Sequence, residues 1–497
     1  MYGIVPGKLG ESKNENIEKI ANLLNINSEE IEKKLSASWV TDEVFVPIKS
    51  VEKDNTELKN KLLQISGIKI TTEKARVYPL GEATSLLTGY IGQITAEELE
   101  KNADKGYSQN SYIGKTGIER SYEETLKGTD GLEIYIQDKD GNKKETILKT
   151  EAINGKNVKL TIDSKLQTSL YNELKNDAGF FVTMNPYTGE LLALVSTPSY
   201  NANDFILGIS NEEWESLSNN EKLPMIARYT KSYCPGSTFK PITGAIGLTS
   251  NTLTENDIFN YSGLSWKKDS SWGDYEITTL TSYSGAKNLK NALIHSDNIY
   301  FAQAALKIGK KSLTEGLQKL KFNEKLDFEL NLSKSKISNN GKIEKETLLA
   351  DSGYGQGEIL VNPIHMAAIY SAFINEGNMI KPYLEYKEEK IREYLVENAI
   401  TEEAAEIIKE DLLQVVESPE GTAHDMKVDG TKIAGKTGTA ELKESKGEKG
   451  KTLGWFDCFT VDKNEDDSII IISMVENARE NGGSHYLIKK IRSILGQ

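Results

Sequence analysis

Cysteine is almost missing from this sequence: there are two in 497 residues. That excludes a disulfide-rich scaffold without settling the compartment. Long apolar runs are missing too, so no segment reaches the length of a membrane span, and Met1-Tyr2-Gly3-Ile4-Val5 is no signal peptide. Positive charge is in deficit. With 74 acidic against 60 basic residues the net charge is −14, which argues against nucleic acid as the main partner. What remains, 38% hydrophobic and 27% charged residues, describes a globular protein long enough for two to four domains.

The sequence changes texture near Asn157. Residues 1–157 are polar and rich in lysine and glutamate, in short helices and strands with no cluster that demands chemistry; they are expected to form a scaffold or interaction platform. Beyond, Val158–Ile162 is expected as a strand and Ser164–Asn176 as a helix. Phe180–Met184 and Glu190–Ser196 form a hairpin around the turn Asn185-Pro186-Tyr187-Thr188-Gly189. A helix-rich stretch runs to about residue 410. Three more strands, Lys432–Ala434, Trp455–Val461 and Ser468–Val475, precede a closing helix, Tyr486–Leu495. Strands at both ends with helices between them predict an α+β domain over 158–497, an antiparallel sheet assembled from distant segments.

The second domain is organised around Tyr233-Cys234-Pro235-Gly236-Ser237-Thr238-Phe239-Lys240-Pro241. Pro241 lacks an N–H and must lie in the first turn of a helix, so that helix is expected to begin within a residue of Ser237. The Ser237 hydroxyl then lies at the positive end of the helix dipole with Lys240 one turn on, an activated-nucleophile arrangement. Ser-x-x-Lys alone is uninformative, since Ser50/Lys53 and Ser284/Lys287 share it, but only Ser237 follows a Pro-Gly break into an apolar helix. His295-Ser296-Asp297-Asn298 falls between two amphipathic stretches, where Ser, Asp and Asn also suit a capping turn. Lys436-Thr437-Gly438 follows a short apolar strand. The overlapping Gly430–Thr437 fits a phosphate-loop pattern, yet lacks a good preceding strand and a following apolar helix.

Ser-x-x-Lys, Ser-Asp-Asn and Lys-Thr-Gly in this order are the set shared by penicillin-binding proteins and serine β-lactamases. Asp351-Ser352-Gly353-Tyr354-Gly355-Gln356-Gly357, the hairpin Thr188–Tyr200, and the N-terminal segments Trp39–Val51, Tyr78–Gly92 and Ile113–Glu119 extend the likeness over almost the whole chain. The sequence resembles class B penicillin-binding proteins, and within them the low-affinity methicillin-resistance type. The resemblance implies a transpeptidase domain with helices on both faces of its sheet, carried on an elongated α+β pedestal over 1–157. Family members begin with a membrane anchor and, in this subgroup, a further small domain; neither occurs here, so the chain is expected to be a truncated ectodomain from the outer face of the cell membrane.

The activity implied is peptidoglycan D,D-transpeptidation. Ser237 would attack the stem peptide, Lys240 act as base, Ser296 relay the proton, Asn298 hold Lys240 and the substrate amide, and Lys436 and Thr437 bind the terminal carboxylate. Ser237 and Thr439 would supply oxyanion N–H groups, Gly438 would leave room for substrate, and Tyr275 would stand on the rim. β-Lactams would be trapped at the same serine, and a glycosyltransferase of a cell-wall synthesis complex is the expected partner. A β-lactam sensor and a serine β-lactamase are the alternatives, the latter disfavoured because no deacylating glutamate is identified. No cofactor is required. Both cysteines and one histidine nevertheless flank these motifs, so Cys234, His295 and Cys458 are candidate ligands of a structural zinc, as against the reading of buried small hydrophobes and a loop histidine.

Overall fold

The computed structural model describes residues 1–390, 392–442 and 450–496, and divides into two compact units. The first comprises Met1–Lys156 and Tyr200–Met225, the second Asn157–Ser199 and Ile226–Gln497. The excursion over 200–225 was not foreseen. Long-range contacts hold it there: Asn203 receives the Tyr78 N–H at 2.9 Å and donates to the Tyr78 carbonyl at 3.0 Å. Tyr78, Tyr200 and Ala202 then share a small core, with Tyr90 stacked on Phe205 at 4.1 Å.

In the first unit, strand Tyr2–Ile4 pairs with Val46–Lys49 on one side and Ile68–Ile70 on the other. Helices Lys13–Leu24, Ser28–Leu35 and Thr56–Leu63 turn Ile17, Ile20, Leu24, Ile31 and Leu62 into the core over that sheet. A separate ribbon, Leu132–Gln137 with Lys143–Thr150, is exposed along its whole length.

The second unit carries a five-stranded antiparallel sheet. Its strands are β1 (Gly179–Met184), β2 (Leu191–Thr197), β3 (Ile433–Leu442), β4 (Lys451–Thr460) and β5 (Ile470–Glu476), in the order β3-β4-β5-β1-β2. The three C-terminal strands thus join the early hairpin through the β5–β1 pairing, Ile470 opposite Met184. Both β3 and β4 run longer than their apolar stretches suggest, because the polar Lys436–Thr439 pairs directly with Asp457–Gly454. The expected strand at 158–162 is reduced to a single bridge, Leu160 with Glu385.

Helices cover both faces. Helix α1 (Ser164–Leu174) and α8 (His485–Leu495) pack on each other and on the sheet. On the face of Phe180 and Trp455 lie α2 (Lys240–Thr249) and α6 (Pro363–Ser371), with Tyr370 of α6 edge-on to Phe459. Between them in sequence come α3 (Leu289–Ile294), α4 (Asn298–Lys319) and α5 (Glu346–Ser352), and after them α7 (Glu402–Glu417) packs on β3, α2 and α3. Phe180, Phe181, Tyr370 and Trp455 are fully buried, and each such side chain contributes about 1.5–3 kcal/mol. Among the described residues no helix is long and apolar enough to cross a membrane.

One buried acid opposes this packing. Asp411 on α7 is 7% exposed, and burial pushes its carboxyl up from 3.8 to about 7, with Lys290 offsetting part of the effect. A carboxyl whose folded pKa is raised binds its proton more tightly when folded, so stability is greatest below the unfolded value and falls as pH rises towards 7. Asp411→Asn is therefore expected to match the parent near pH 4 and to exceed it at pH 8 by roughly 2–4 kcal/mol, read as a melting shift of a few degrees.

Candidate active site

Ser237 does not open the α-helix itself. It lies in a 3-10 turn, Gly236–Phe239, and the α-helix begins at Lys240 with Pro241 in its first turn, where a missing N–H costs nothing. The turn is pinned on several sides. Gly236 N–H donates to Gly355 O at 3.0 Å, the Thr238 hydroxyl to Pro235 O at 3.0 Å, and the buried Tyr370 hydroxyl to Thr238 O at 2.7 Å. Gly236 has φ +55°, and a Cβ there would lie 2.5 Å from the Thr439 carbonyl oxygen, so the turn is pressed backbone to backbone against β3. Gly355 has φ +75° and would place a Cβ 2.1 Å from Gly236 O. Close approach on both sides needs glycine.

The second motif is the turn between α3 and α4. Asp297 caps α4, its Oδ1 accepting the Ile299 and Tyr300 N–H groups, while its Oδ2 accepts from the Tyr261 hydroxyl. Ser296, which ends α3 with its N–H on Leu293 O, lies in the left-handed region at φ +55° and presents both its carbonyl and its hydroxyl to Lys240. The Lys240 ammonium donates to Ser296 O at 2.6 Å and approaches Ser296 Oγ at 3.1 Å; from β3, Lys436 donates to the same Oγ at 2.9 Å and to Thr437 O at 3.1 Å. Three distant segments thus meet on one hydroxyl.

Both lysines are fully buried. Burial, reinforced by the Lys436 charge, holds Lys240 well below the ordinary lysine range, against a partial restoring pull from Asp297. Burial alone pushes Lys436 down to about 7. A neutral amine beside a serine turn can accept a proton, and a second amine that titrates near neutrality keeps positive potential available.

Other expected residues fall as follows. Asn298 does not hold Lys240, whose contacts go to Ser296; the Asn298 amide donates to Thr278 O at 2.8 Å, on the hairpin Ser265–Trp266 with Ile277–Thr278. Thr437 and Thr422 join hydroxyls at 2.9 Å, and Gln356 reaches Thr439 O at 3.3 Å. Gly438 carries no side chain where a Cβ would lie 2.8 Å from the Thr238 methyl. Tyr275 is partly exposed and donates to Asp351. Lys436 and Thr437 are interior to a strand rather than leading into a helix, so the phosphate-loop reading fails; residues 443–449 beyond it lie outside the described residues.

The three expected zinc ligands are not gathered into a metal site. Among the described residues no group of three or more His, Cys, Asp or Glu side chains could hold a metal. Cys234 donates to Gly355 O, and burial raises its thiol to about 11; Cys458 is fully buried and raised further. Burial thus favours the thiol over the thiolate a metal needs. His295 is stacked on Tyr283 at 4.1 Å and faces Glu420 at 3.4 Å. The roles of Thr422, Gln356, Tyr261 and Asp351 were not foreseen. Gln356 and Asp351 fall within the glycine-rich segment noted in the sequence; Thr422 and Tyr261 carry no motif.

A serine in a helix-leading turn, two buried lysines converging on a second serine and an edge strand alongside define a serine acyl-transfer site of the penicillin-recognising type. Comparison with known proteins narrows the class. The family model for the penicillin-binding protein transpeptidase domain matches residues 179–496, and that for the penicillin-binding protein dimerisation domain matches 2–160. The chain is 42% identical to penicillin-binding protein 3 of Bacillus subtilis over 99% of its length and 72% of the relative's. It is 27% identical to the peptidoglycan D,D-transpeptidase MrdA of Acinetobacter baumannii, over 99% and 77% of the two chains. A solved complex between penicillin-binding protein PBP2 and MreC from Helicobacter pylori matches all of this chain and 94% of the solved one, with a TM-score of 0.77 at 23% identity. The chain belongs to the class B penicillin-binding proteins, and it is a transpeptidase.

The Gly236 contact is directly testable. Gly236→Ala is expected to lower the rate of covalent labelling by a fluorescent penicillin on the order of tenfold or more, because the turn must back away from β3.

Proposed function

We propose that this chain is a peptidoglycan D,D-transpeptidase that cross-links stem peptides through an acyl-Ser237 intermediate, and that β-lactams acylate the same serine. The observation that carries the reading is the convergence of Lys240 and Lys436, both fully buried, on Ser296 Oγ. Neutral Lys240 takes the Ser237 hydroxyl proton as the Ser237 oxygen bonds to the donor carbonyl carbon. The N–H groups of Ser237 and Thr439 receive the oxyanion. Ser296 passes the proton to the departing D-alanine amine as the C–N bond breaks. Lys436 and Thr437 hold the donor carboxylate, Asn298 and Gly438 line its path, and an acceptor amine then displaces Ser237.

The solved PBP2–MreC complex supports an MreC-like protein as a partner in a cell-wall synthesis complex, and the family resemblance of the sequence adds a glycosyltransferase as the further expected partner. The same kinship supports a place on the outer face of the cell membrane. The N-terminal motifs support a kinship with the low-affinity methicillin-resistance type.

Ser237→Ala is expected to abolish labelling by a fluorescent penicillin and the corresponding mass increase; persistent labelling overturns the assignment. The rate of acylation by the parent should fall with decreasing pH as Lys240 gains its proton. In Lys436→Met the charge that depresses Lys240 is gone, so that acid limb should move to higher pH. A limb that stays in place removes Lys240 from the role of base.

A further inference from the structure

The hairpin Ser265–Trp266 with Ile277–Thr278 borders the site on one side, through the Asn298 amide on Thr278 O. The loop after α5 borders it on another, where Gly355 O accepts the Gly236 N–H beside Ser237 and Gln356 reaches Thr439 O. Asp351 ties these two borders together. Asp351, at the end of α5, accepts the Tyr275 hydroxyl on Oδ2 and the Tyr354 hydroxyl on Oδ1. Both bonds are charge-assisted, the stronger kind.

The clasp is not what holds the hairpin to the protein. Trp272 and Ile277 are buried against Ile299, Ala302 and Ala350, and the Trp272 indole donates to Glu346 at 3.0 Å. Lys268 pairs with the same Glu346. With the chain anchored on either side of it, at Trp272 and Ile277, Asp351 governs the direction of the Tyr275 side chain, which is 38% exposed and edge-on to Trp272 at 5.9 Å. A partly exposed ring on an anchored backbone has its orientation set in good part by where its hydroxyl is tied.

We propose that Asp351 is a positioning residue for donor binding, its carboxylate clasping Tyr275 and Tyr354 so that the Tyr275 ring stands as a fixed wall at the mouth of the Ser237 cleft. The inference rests on the acyl-serine reading above. A donor or β-lactam passes this wall before it reaches the nucleophile, so the clasp acts on the non-covalent step and leaves the chemistry to the lysines and Ser296. Tyr275 touches the ligand, and Asp351 acts through it.

The test is stopped-flow acylation of the full chain by a chromogenic cephalosporin, resolved into the non-covalent dissociation constant and the acylation rate constant. Tyr275→Phe, which deletes only the hydroxyl, and Asp351→Ala should each weaken non-covalent binding about five- to tenfold, the scale of one lost charge-assisted bond, with the acylation constant within about twofold. Asp351→Asn, whose amide oxygen still accepts from one phenol, should fall between them and the parent. The double variant should bind no worse than the weaker single one, since both break the same link. Fully multiplicative losses in the double variant, a fall in the acylation constant with binding unchanged, or tighter binding would each overturn the proposal. Intact mass keeps the two readings apart: stoichiometric acylation of every variant leaves Ser237 as nucleophile whatever becomes of Asp351. Tyr275→Phe, on the solvent side of an anchored hairpin, secures a result even if Asp351→Ala does not fold.

Discussion

Two ammonium groups brought out of water against one hydroxyl are the constraint on which the rest of the second unit depends. Neither Lys240 nor Lys436 has a buried carboxylate as a direct hydrogen-bond partner among its described contacts; both donate to Ser296 and to main-chain carbonyls. Desolvating a lysine so thoroughly favours the neutral amine, and mutual repulsion favours it further. The arrangement is unfavourable for the fold and apt for proton transfer, which is why the surrounding scaffold is so heavily pinned. Left to itself the pair would separate into water.

What keeps it in place is backbone contact rather than side-chain charge. The Ser237 turn is wedged between β3 and the Gly355 loop by two left-handed glycines, each within 2.5 Å of a neighbouring carbonyl if given a Cβ. Tyr370 and Thr238 tie the turn from beneath. Ser296 takes its left-handed conformation as the terminator of α3, its N–H donating to Leu293 O at 3.2 Å and the Asp297 N–H to Ala292 O at 2.9 Å. Each motif residue is therefore placed by a neighbour whose chemistry is ordinary: a cap, a glycine, a buried phenol. Rigidity of this kind lowers the reorganisation needed when charge develops at the reacting carbonyl.

How much of this the sequence discloses depends on the range of the interaction. Pro241 fixes the helix start to within a few residues because its ring acts locally, and the Asp297 cap is legible for the same reason. The 3-10 form of the Ser237 turn is not, since it arises from Gly236 meeting β3, some two hundred residues away. Asn298 shows the same limit: its helix position is local, but its amide is taken by Thr278 on a hairpin that no pattern predicts. The cysteines mislead for a related reason. Proximity to motifs along the chain suggested a shared metal, whereas β4 buries Cys458 as a neutral thiol and the Gly355 carbonyl occupies Cys234. The excursion of 200–225 into the first unit rests on Asn203 bridging to Tyr78, on Ser85 meeting Tyr200 and Ala202, and on the apolar core they share, contacts more than a hundred residues apart that no local pattern announces.

The parts of the site differ in how open they are to change without loss of the chemistry. Lys240 and Lys436 are fully buried and meet on the half-buried Ser296, so substitution there alters proton transfer directly. Tyr275 is partly exposed with its hydroxyl tied to Asp351, while the hairpin that carries it is anchored separately, at Trp272 and Glu346. A site built this way separates two properties: the buried amines set how fast a bound donor reacts, and the tethered ring sets which donors reach them. Selection on binding can then act at the mouth of the cleft while the geometry around Ser237 stays fixed, because no described hydrogen bond runs from Tyr275 to the lysine pair.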